Sequence, residues 1–252
     1  MTRAASRWRG RAILFDLFGT VVHFAARVPP VQTAGTQWRS AMQWLQETAA
    51  RELPQIPFDD LLTALTRVTE EIVQQRPPEY REVSSGERFR RALRQLGVGV
   101  GQAPEIATRL SLSHMSHLAS MTNVRRDSVS LLAELAPRYR LGLVSNFNHA
   151  PTARRILVDH GLAEFFTAVL ISDDFGQRKP HPAIFEAALQ VLGVAPEDAL
   201  FIGDNISDDV AGAHNAHLPV AWLNAERKDL PPDIPPPDYI IADLTELRLL
   251  LG

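Results

Sequence analysis

The stretch "AILFDLFGT", residues 12–20, has the pattern of a buried β-strand that ends in a carboxylate. Its first four residues are apolar, Asp16 follows them directly, and Gly19 with Thr20 provides a turn. In α/β enzymes, a carboxylate at the end of an apolar strand is a candidate nucleophile or metal ligand. Two positions further on, where a second carboxylate would complete a catalytic pair, the chain has Phe18. The question that this stretch raises is which chemistry Asp16 can perform with an aromatic residue in place of a second carboxylate.

Short apolar runs alternate with helical patterns over the second half of the chain. The predicted strands after the first lie at residues 139–146, 166–172, 198–204, 217–223 and 238–243. The predicted helices lie at residues 128–136, 151–160, 182–192 and 207–216. Strands that alternate with helices indicate parallel β-α-β units. By type, the opening strand at 11–16 belongs to the same α/β sheet.

Residues from about 37 to 119 have a different pattern, which is helical throughout. Apolar residues recur at helical spacing from Trp38 to Leu53 and again in three later segments. Breaks rich in proline and glycine separate these helices. The pattern predicts a helical domain inserted after the first strand of an α/β core. The expected boundaries are a core at 1–22 and 120–252 and an inserted domain at 23–119.

The composition is ordinary for a globular protein and excludes several kinds of chemistry. Among 252 residues, 45% are hydrophobic, 22% are charged and none is cysteine. The lack of cysteine excludes disulfide bonds, thiolate metal sites and a cysteine nucleophile. A net charge of −3 gives no electrostatic argument for nucleic acid or an anionic membrane. The sequence has no apolar run long enough to span a membrane and no apolar signal region, so we expect a cytoplasmic protein. We expect it to act on a small molecule, as a monomer or homodimer.

Polar residues follow four of the predicted strands, at the edge where the carboxyl ends of parallel strands meet. They are Asp16, then Ser145 and Asn146, then Lys179, and finally Asp204 with Asp208 and Asp209. Taken singly, each has an ordinary alternative, since such residues are common in turns and helix caps. Together they are the parts of a group transfer through a covalent aspartyl intermediate. A carboxylate attacks, a hydroxyl and an ammonium group hold the transferred group, and paired acids hold a divalent cation.

In this order the motifs resemble those of the haloacid dehalogenase-like hydrolase superfamily, in the branch with a helical cap inserted after the first strand. The motifs are "DLFGT" at 16–20, Ser145 in "LVSN", Lys179 in "GQRKPHPAIF" and "GDNISDDVAGA" at 203–213. The resemblance covers nearly the whole chain. It implies an α/β fold in which a Rossmann-like parallel sheet forms the core and a helical bundle forms the cap.

The resemblance also implies a role for each motif residue. Asp16 corresponds to the nucleophile and is a ligand of Mg²⁺ as well. The other implied metal ligands are the backbone carbonyl of Phe18, Asp204 and, through water, Asp209, for which Asp208 is the less favoured alternative. The implied substrate-binding set is Gly19, Thr20, Ser145, Asn146 and Lys179, of which Ser145 and Lys179 are also catalytic. Mg²⁺ prefers oxygen ligands and keeps several waters, so two carboxylates and one carbonyl suffice.

Phe18 departs from the phosphatases of this superfamily, which have a second aspartate at its position. That aspartate protonates the leaving alkoxide and later activates water, and a general acid–base group is worth about 10²–10⁴-fold in rate. Three interpretations stay open. In the first, the chain is a phosphohydrolase that is slow or that is restricted to leaving groups that need little protonation. In the second it is a 2-haloacid dehalogenase, and in the third it is a binding or regulatory protein on an enzyme scaffold. The dehalogenases resemble the chain here, since an aromatic residue, tyrosine, takes this position in their family.

The fourth motif favours the first interpretation. The dehalogenases have serine and asparagine where this chain has Gly203 and Asp204. Carboxylates clustered near Asp16 would repel one another without a cation. The sequence therefore predicts a Mg²⁺-dependent phosphohydrolase that acts on a small phosphorylated metabolite through an aspartyl-phosphate intermediate.

Two histidines are candidates for the missing acid–base group, because histidine titrates near neutral pH. His23 follows the first motif and His149 the second, although a single histidine in such a position is more often structural. His181 is expected to cap the helix that follows it. The cap should set the substrate, and its most polar turn, at residues 79–89, is a candidate for the entrance.

Overall fold

A six-stranded parallel sheet forms the centre of the computed structural model. The structure describes residues 8–24, 31–33, 36–38 and 41–252, with side chains for 8–24 and 44–252. The described strands are β1 (Ala12–Phe15), β2 (His23–Phe24), β3 (Val31–Thr33), β4 (Thr36–Trp38), β5 (Thr122–Asn123), β6 (Arg140–Ser145), β7 (Ala168–Ile171), β8 (Ala199–Gly203), β9 (Val220–Leu223) and β10 (Tyr239–Ile241). The described α-helices are α1 (Ala41–Glu52), α2 (Phe58–Gln74), α3 (Ser85–Gln95), α4 (Ala103–Ser120), α5 (Arg126–Leu135), α6 (Ala150–Asp159), α7 (Ser172–Phe175), α8 (Pro182–Leu192), α9 (Ala211–Asn215) and α10 (Leu247–Leu251).

The strand order of the main sheet is β10-β9-β8-β1-β6-β7, and all neighbours run parallel. This confirms the predicted α/β fold with a Rossmann-like sheet. In the centre, Ala12 at the start of β1 pairs with Arg140 of β6 and Ala199 of β8. Because these three strands begin in register, their carboxyl ends reach the same edge of the sheet.

Strand β1 is buried on both faces, which explains why its sequence is a continuous apolar run. Successive side chains of a strand point to opposite faces. Ile13 and Phe15 accordingly belong to one hydrophobic core, which α5, α6 and α10 cover, whereas Ala12 and Leu14 belong to a second core under α8 and α9. The two helical layers hold the strand from both sides, so the position of Asp16 after its end is fixed.

Helices α1 to α4 pack around a third hydrophobic core of their own. Leu45, Leu61, Phe89 and Leu110, one from each helix, are among its buried residues. In the chain these helices lie between β1 and β6, and the short antiparallel pair of β2 and β5 stands where the chain leaves the sheet and returns to it. The arrangement supports the division into core and inserted cap near residues 23 and 120, which we keep as a proposal.

The prediction that residues from about 37 onward are helical is wrong at its start. Thr36–Trp38 forms β4, which pairs antiparallel with β3, and the first helix begins only at Ala41. One apolar residue at helical spacing does not fix the backbone, and threonine and tryptophan are both favoured in strands. The local preference and the pairing with β3 decide the structure of this segment.

The predicted helix at 207–216 is divided into two parts. Ile206–Val210 is a π-helical turn, and α9 follows it. The Asn205 side chain accepts hydrogen bonds from the backbone N–H groups of Ser207 and Asp208, both at 3.0 Å, and so caps the start of the turn. Such π-helical turns occur frequently at functional sites. Among the helices that the structure describes, none is long and apolar enough to cross a membrane.

Candidate active site

The strand register brings the predicted site residues to one edge of the sheet. Asp16 directly follows β1, Ser145 ends β6 and Asp204 directly follows β8. The backbone N–H of Asp16 donates to the carbonyl oxygen of Ile202 at 2.8 Å, which fixes it against β8. A cavity of about 180 Å³, here called the strand-end cavity, opens at this edge. Its lining residues are Asp16, Phe18, Asn146, Arg178, Lys179, Asp204, Asn205, Asp208 and Asp209.

Lys179 provides a buried positive charge at the base of the strand-end cavity. Its ammonium nitrogen lies 2.5 Å from Oδ1 of Asp16 and 2.6 Å from Oδ1 of Asp209. The whole residue is 1% exposed. Burial alone would lower the pKa of Lys179, but the two carboxylates outweigh it and raise the pKa above its ordinary value. Lys179 therefore stays charged and holds both carboxylates in place.

Asn146 positions the backbone of Lys179. Its Nδ2 donates to the carbonyl oxygen of Lys179 at 3.0 Å, and its Oδ1 accepts from the Lys179 backbone N–H at 2.8 Å. The same Nδ2 donates to a carboxylate oxygen of Asp208 at 3.1 Å. Asn146, which the sequence analysis assigns to substrate binding, thus lines the strand-end cavity and also fixes the loop that carries Lys179.

Three carboxylates meet next to Lys179. One oxygen each of Asp16, Asp204 and Asp209 lies within 4.8 Å of the others. Desolvation and the charge of Asp209 raise the pKa of Asp204 to about 6. Burial and the charge of Asp16 raise the pKa of Asp209 to about 7, against the attraction of Lys179. One ammonium group cannot neutralise three carboxylates, and an all-oxygen donor set of this kind fits Mg²⁺.

Two glycines allow the backbone to approach these carboxylates closely. Gly19 has a φ of +91°, and a Cβ atom there would lie 2.3 Å from a carboxylate oxygen of Asp204. A Cβ atom on Gly203 would lie 2.3 Å from a carboxylate oxygen of Asp209. Any side chain at either position would therefore displace one member of the carboxylate cluster.

Asp208 and Asp209 are adjacent in the chain but have different surroundings. Asp209 is 1% exposed, and its Oδ2 accepts from the backbone N–H of Asn205 at 2.9 Å. Asp208 is only partly buried and lies at the rim, where a carboxylate oxygen is 3.8 Å from the Arg178 guanidinium group. This difference supports Asp209 over Asp208 as the acid that assists a bound metal.

Ser145 and Thr20 carry buried hydroxyl groups. Neither hydroxyl has a hydrogen-bond partner among the residues that the structure describes. An unsatisfied buried hydroxyl group costs about 1–3 kcal/mol. A bound oxyanion would satisfy either of them, although neither residue belongs to the lining of the strand-end cavity.

Phe18 forms an aromatic wall of the strand-end cavity. Its ring stacks on that of Phe24, with a centroid distance of 5.2 Å and an interplanar angle of 9°. On another side it contacts Phe147 at a centroid distance of 4.8 Å. The position where a second aspartate would act as acid and base is therefore occupied by hydrocarbon.

The candidate histidines lie outside the lining of the strand-end cavity. Burial lowers the pKa of both His23 and His149. His23 belongs to β2, and Nδ1 of His149 lies 2.8 Å from the hydroxyl of Thr152 at the start of α6. Nδ1 of His181 accepts from the backbone N–H of Ala183 at 3.2 Å, which confirms its predicted role as a helix cap.

Two charged residues beside the cavity were missed by the sequence analysis. Arg178 lines the cavity, and its place directly before Lys179 was a usable signal. Glu82, between α2 and α3, has a buried carboxylate that accepts from the Ser172 hydroxyl at 2.7 Å and from Arg178 at 3.1 Å. No sequence pattern indicates that Glu82 lies beside the site, because Ser172, which bonds it there, follows it by 90 residues. The contacts of Glu82 with Ser172 and Arg178 bring part of the polar turn at 79–89 against the loop that carries Arg178.

A parallel α/β sheet whose carboxyl edge gathers a strand-end aspartate, a buried lysine and further acids is typical of hydrolases that use an aspartate nucleophile. Residues 11–217 match the family model of the haloacid dehalogenase-like hydrolases, and the chain belongs to this family. The resemblance drawn from the four motifs is thereby confirmed.

Two curated relatives are named phosphatases. The chain is 37% identical over 162 residues to a phosphoserine phosphatase of Thermus thermophilus, covering 64% of this chain and 62% of that protein. It is 34% identical over 144 residues to a glyceraldehyde 3-phosphate phosphatase of Pyrococcus furiosus, covering 54% of this chain and 56% of that protein. The chain thus spans less than two thirds of the length of these relatives.

A solved structure with the same fold is named a dehalogenase. The 2-haloacid dehalogenase from Pseudomonas syringae superposes with a TM-score of 0.72 and 26% identity, covering 96% of this chain and 97% of that chain. The likeness extends over the sheet and the helices between β1 and β6. The relatives therefore include both phosphatases and a dehalogenase, and the site itself has to decide between the two activities.

Proposed function

We propose that the protein is a Mg²⁺-dependent phosphohydrolase that acts on a small phosphorylated metabolite. The observation that carries the proposal is the cluster of Asp16, Asp204 and Asp209, whose oxygens lie within 4.8 Å of one another beside a single lysine. Such a cluster needs a further positive charge, and phosphoryl transfer uses a divalent cation in that place. The two phosphatase-named relatives support the same reaction class.

The proposed reaction has two steps at Asp16. In the first step a carboxylate oxygen of Asp16 attacks the phosphorus atom, an O–P bond forms, and the ester O–P bond breaks to release the leaving group with its electron pair. In the second step the oxygen of a water molecule attacks the phosphorus atom, the Asp16 O–P bond breaks, phosphate leaves with the protons of the water, and the Asp16 carboxylate is regenerated. The burial of Asp16 and its contact with Lys179 hold the attacking oxygen in one orientation.

The remaining roles follow from the surroundings of each group. Lys179 and the unsatisfied hydroxyl of Ser145 would hold phosphoryl oxygens, with Thr20 as a further hydroxyl and with Gly19 and Asn146 shaping the site. Mg²⁺ would be held by Asp16, Asp204 and the backbone carbonyl of Phe18, with Asp209 supporting it through water. When bound, the metal supplies positive charge that stabilises the phosphoryl oxygens during transfer.

Phe18 restricts the substrates that such an enzyme hydrolyses well. Its ring cannot donate a proton to the leaving oxygen or activate water, and none of the described histidines takes its place in the lining of the strand-end cavity. We therefore expect acyl or aryl phosphates, whose leaving groups need little protonation, to react faster than alkyl phosphates. A small-molecule substrate, a cytoplasmic location, and a monomer or homodimer complete the proposal.

A 2-haloacid dehalogenase is the second candidate, and Phe18 favours it together with the likeness to the Pseudomonas syringae enzyme. In this reaction Asp16 would displace halide from carbon to form an ester, which water then hydrolyses. A halide needs no proton to leave. The carboxylates of Asp204 and Asp209 argue against this candidate, because halide displacement has no use for a divalent cation.

The experiment that tests the proposal compares p-nitrophenyl phosphate with 2-chloropropionate, each with Mg²⁺ and with EDTA. We expect release of p-nitrophenol that needs Mg²⁺, and no release of chloride. Asp16→Asn should abolish the activity, because an amide cannot attack. Chloride release that EDTA leaves unchanged would establish the dehalogenase instead, and the absence of both reactions would favour a binding protein.

A further inference from the structure

Two arginines pair with one buried glutamate where the α2–α3 connection meets the segment after β7, and a third arginine lies close enough to interact with it electrostatically. Arg76, Arg88 and Arg178 are together called the arginine cluster. The Glu82 side chain is 1% exposed, with Arg88 at 3.2 Å from one carboxylate oxygen and Arg178 at 3.1 Å from the other. The Ser172 hydroxyl donates to the second oxygen as well, at 2.7 Å. Glu82 is therefore fully paired by two of the three arginines.

Arg76 is the arginine without a partner. Its guanidinium group follows the C-terminal end of α2 and makes no hydrogen bond or ion pair within the described part of the chain, and its Nε is buried. Burial and the two neighbouring arginines lower the pKa of Arg76, whereas Glu82 and Asp208 act in the opposite direction. Arg76 is thus a half-buried cation among other cations.

The local charges do not balance. Arg76, Arg88 and Arg178 carry three positive charges, whereas the carboxylates that interact with them, Glu82 and Asp208, carry two, so one positive charge is uncompensated. A partly buried charge without a partner is costly, and charged groups in such places are normally paired. The imbalance marks a position for an anion that the chain itself does not supply within its described residues.

Arg178 connects the arginine cluster to the strand-end cavity. It lines the cavity together with Asp16, and its Nη2 lies 3.8 Å from a carboxylate oxygen of Asp208, another lining residue. Its Nε is buried and has no partner among the described residues. One unpaired donor of the cluster, Nε of Arg178, therefore belongs to a residue that lines the same cavity as the group that we propose as the nucleophile.

We propose that Arg76 and Arg178 bind a second anionic group of the substrate, a carboxylate or a second phosphate, while its phosphoryl group faces Asp16. The inference rests on the phosphohydrolase function proposed above and narrows its substrate class. Guanidinium groups bind carboxylate and phosphate oxygens through paired N–H donors, which gives both charge and orientation. The preferred substrates are then phosphate esters with an acidic tail, and esters with a neutral tail bind more weakly.

The test compares substrates that differ only in the charge of the tail. 4-Carboxyphenyl phosphate and its neutral amide, 4-carbamoylphenyl phosphate, have nearly the same size, and the 3-substituted pair covers a different reach. We expect the KM of the wild-type enzyme to be at least about tenfold lower for the carboxylates. 1,4-Phenylene bisphosphate in the same assay shows whether a second phosphate can take the place of the carboxylate. A preference for the carboxylate tail and a preference for the phosphate tail both support the proposal.

Arg76→Met should remove this preference by raising the KM for the carboxylates much more than the KM for the neutral amides, because methionine keeps much of the apolar stem and loses only the charge. Arg76→Lys should retain part of the preference, since it keeps the charge. The matched control is Arg67→Met, which removes an exposed arginine from α2. It should leave the preference as in the wild type, which excludes a general effect of net charge.

A binding measurement separates this inference from the proposed reaction. Calorimetry with 4-carboxyphenyl phosphate and its amide on Asp16→Asn protein needs no turnover, and adding Arg76→Met should weaken only the carboxylate, by at least about tenfold. If the wild-type enzyme releases phosphate from no ester, the proposed function fails, while calorimetry still decides the role of Arg76. Equal binding of carboxylate and amide by Asp16→Asn protein, or an equal loss of both on Arg76→Met, would overturn the inference.

Discussion

The ammonium group of Lys179 lies 2.5 Å from a carboxylate oxygen of Asp16, and both residues are buried. The same ammonium group also contacts Asp209 at 2.6 Å. A single cation thus holds two carboxylates, one directly after β1 and the other in the π-helical turn after β8. Its removal should affect stability as well as catalysis.

Lys179→Met should lower the free energy of unfolding by about 3–5 kcal/mol at pH 8, the usual cost of breaking a buried ion pair by removing one partner. Without Lys179, the carboxyl groups of Asp16 and Asp209 bind protons more readily, so the loss should shrink as the pH falls. Urea denaturation at pH 8 and pH 5.5, in the presence of EDTA, measures both effects. A loss that does not depend on pH would contradict this account of the ion pair.

Asp204→Ala should abolish Mg²⁺ binding and all metal-dependent activity. The carboxylate of Asp204 belongs to the three-carboxylate cluster and, unlike Asp16 and Asp209, does not contact Lys179. Asp208→Ala is the matched control, because Asp208 lies at the rim, bonded to Asn146. Titration calorimetry with MgCl₂ should detect binding to the control and none to Asp204→Ala. Unchanged affinity in Asp204→Ala would move the metal site elsewhere.

His114 in α4 should make the protein less stable in mild acid. Burial, with a smaller effect of His117, lowers the pKa of His114 to about 4 from its ordinary 6.5. Between these two values the unfolded chain binds a proton that the folded protein does not, so stability falls as the pH drops from 6.5 towards 4. The contribution of this one residue at pH 5 is about 1–2 kcal/mol.

His114→Gln should flatten the pH dependence of unfolding between pH 7.5 and pH 5, measured by urea denaturation. His217→Asn serves as the control, because the His217 side chain is exposed and its backbone φ of 59° is one that asparagine tolerates. The control should show the same pH dependence as the wild type. If His114→Gln also behaves as the wild type, the acid sensitivity comes from other groups.

The strands and the site edge were predictable because their signals are local. Runs such as that of β1 are apolar because both faces of a parallel sheet are buried, and a polar residue directly after such a run marks the carboxyl edge. The register of β1 between β6 and β8 then brings Asp16, Ser145 and Asp204 together without further information. The predicted helix at 182–192 also matches α8, with its cap at His181.

The parts that sequence patterns did not predict depend on packing between distant segments. Trp38 has the spacing of a helix but lies in β4, because pairing with β3 outweighs the spacing. Glu82 finds its partners in Arg178 and Ser172 only when helices α2 and α3 meet the sheet. The surroundings of His23, in turn, depend on the pairing of β2 with β5. No local pattern contains these contacts.

The last prediction concerns the aromatic ring beside the candidate nucleophile. Phe18 lines the strand-end cavity and packs against Phe24 and Phe147, so Phe18→Asp replaces these ring contacts with a carboxylate that faces Asp16 across the cavity. The loss of packing should cost about 1–3 kcal/mol of stability. Phe18→Asn is the matched control, because it loses the same ring contacts and cannot transfer a proton.

Phe18→Asp should raise the rate of p-nitrophenyl phosphate hydrolysis at least about tenfold, at the modest end of what general acid–base catalysis supplies. The increase should be larger for alkyl phosphates, because their leaving oxygen needs a proton more than p-nitrophenolate does. Phe18→Asn should show neither increase. Initial rates for both variants, at saturating Mg²⁺ and with circular dichroism to verify the fold, provide the comparison. One outcome would contradict this prediction: a Phe18→Asp protein that is folded and binds Mg²⁺ but hydrolyses alkyl phosphates no faster than Phe18→Asn. The missing acid would then not limit the reaction. A dehalogenase or a binding protein would become the better account of this site.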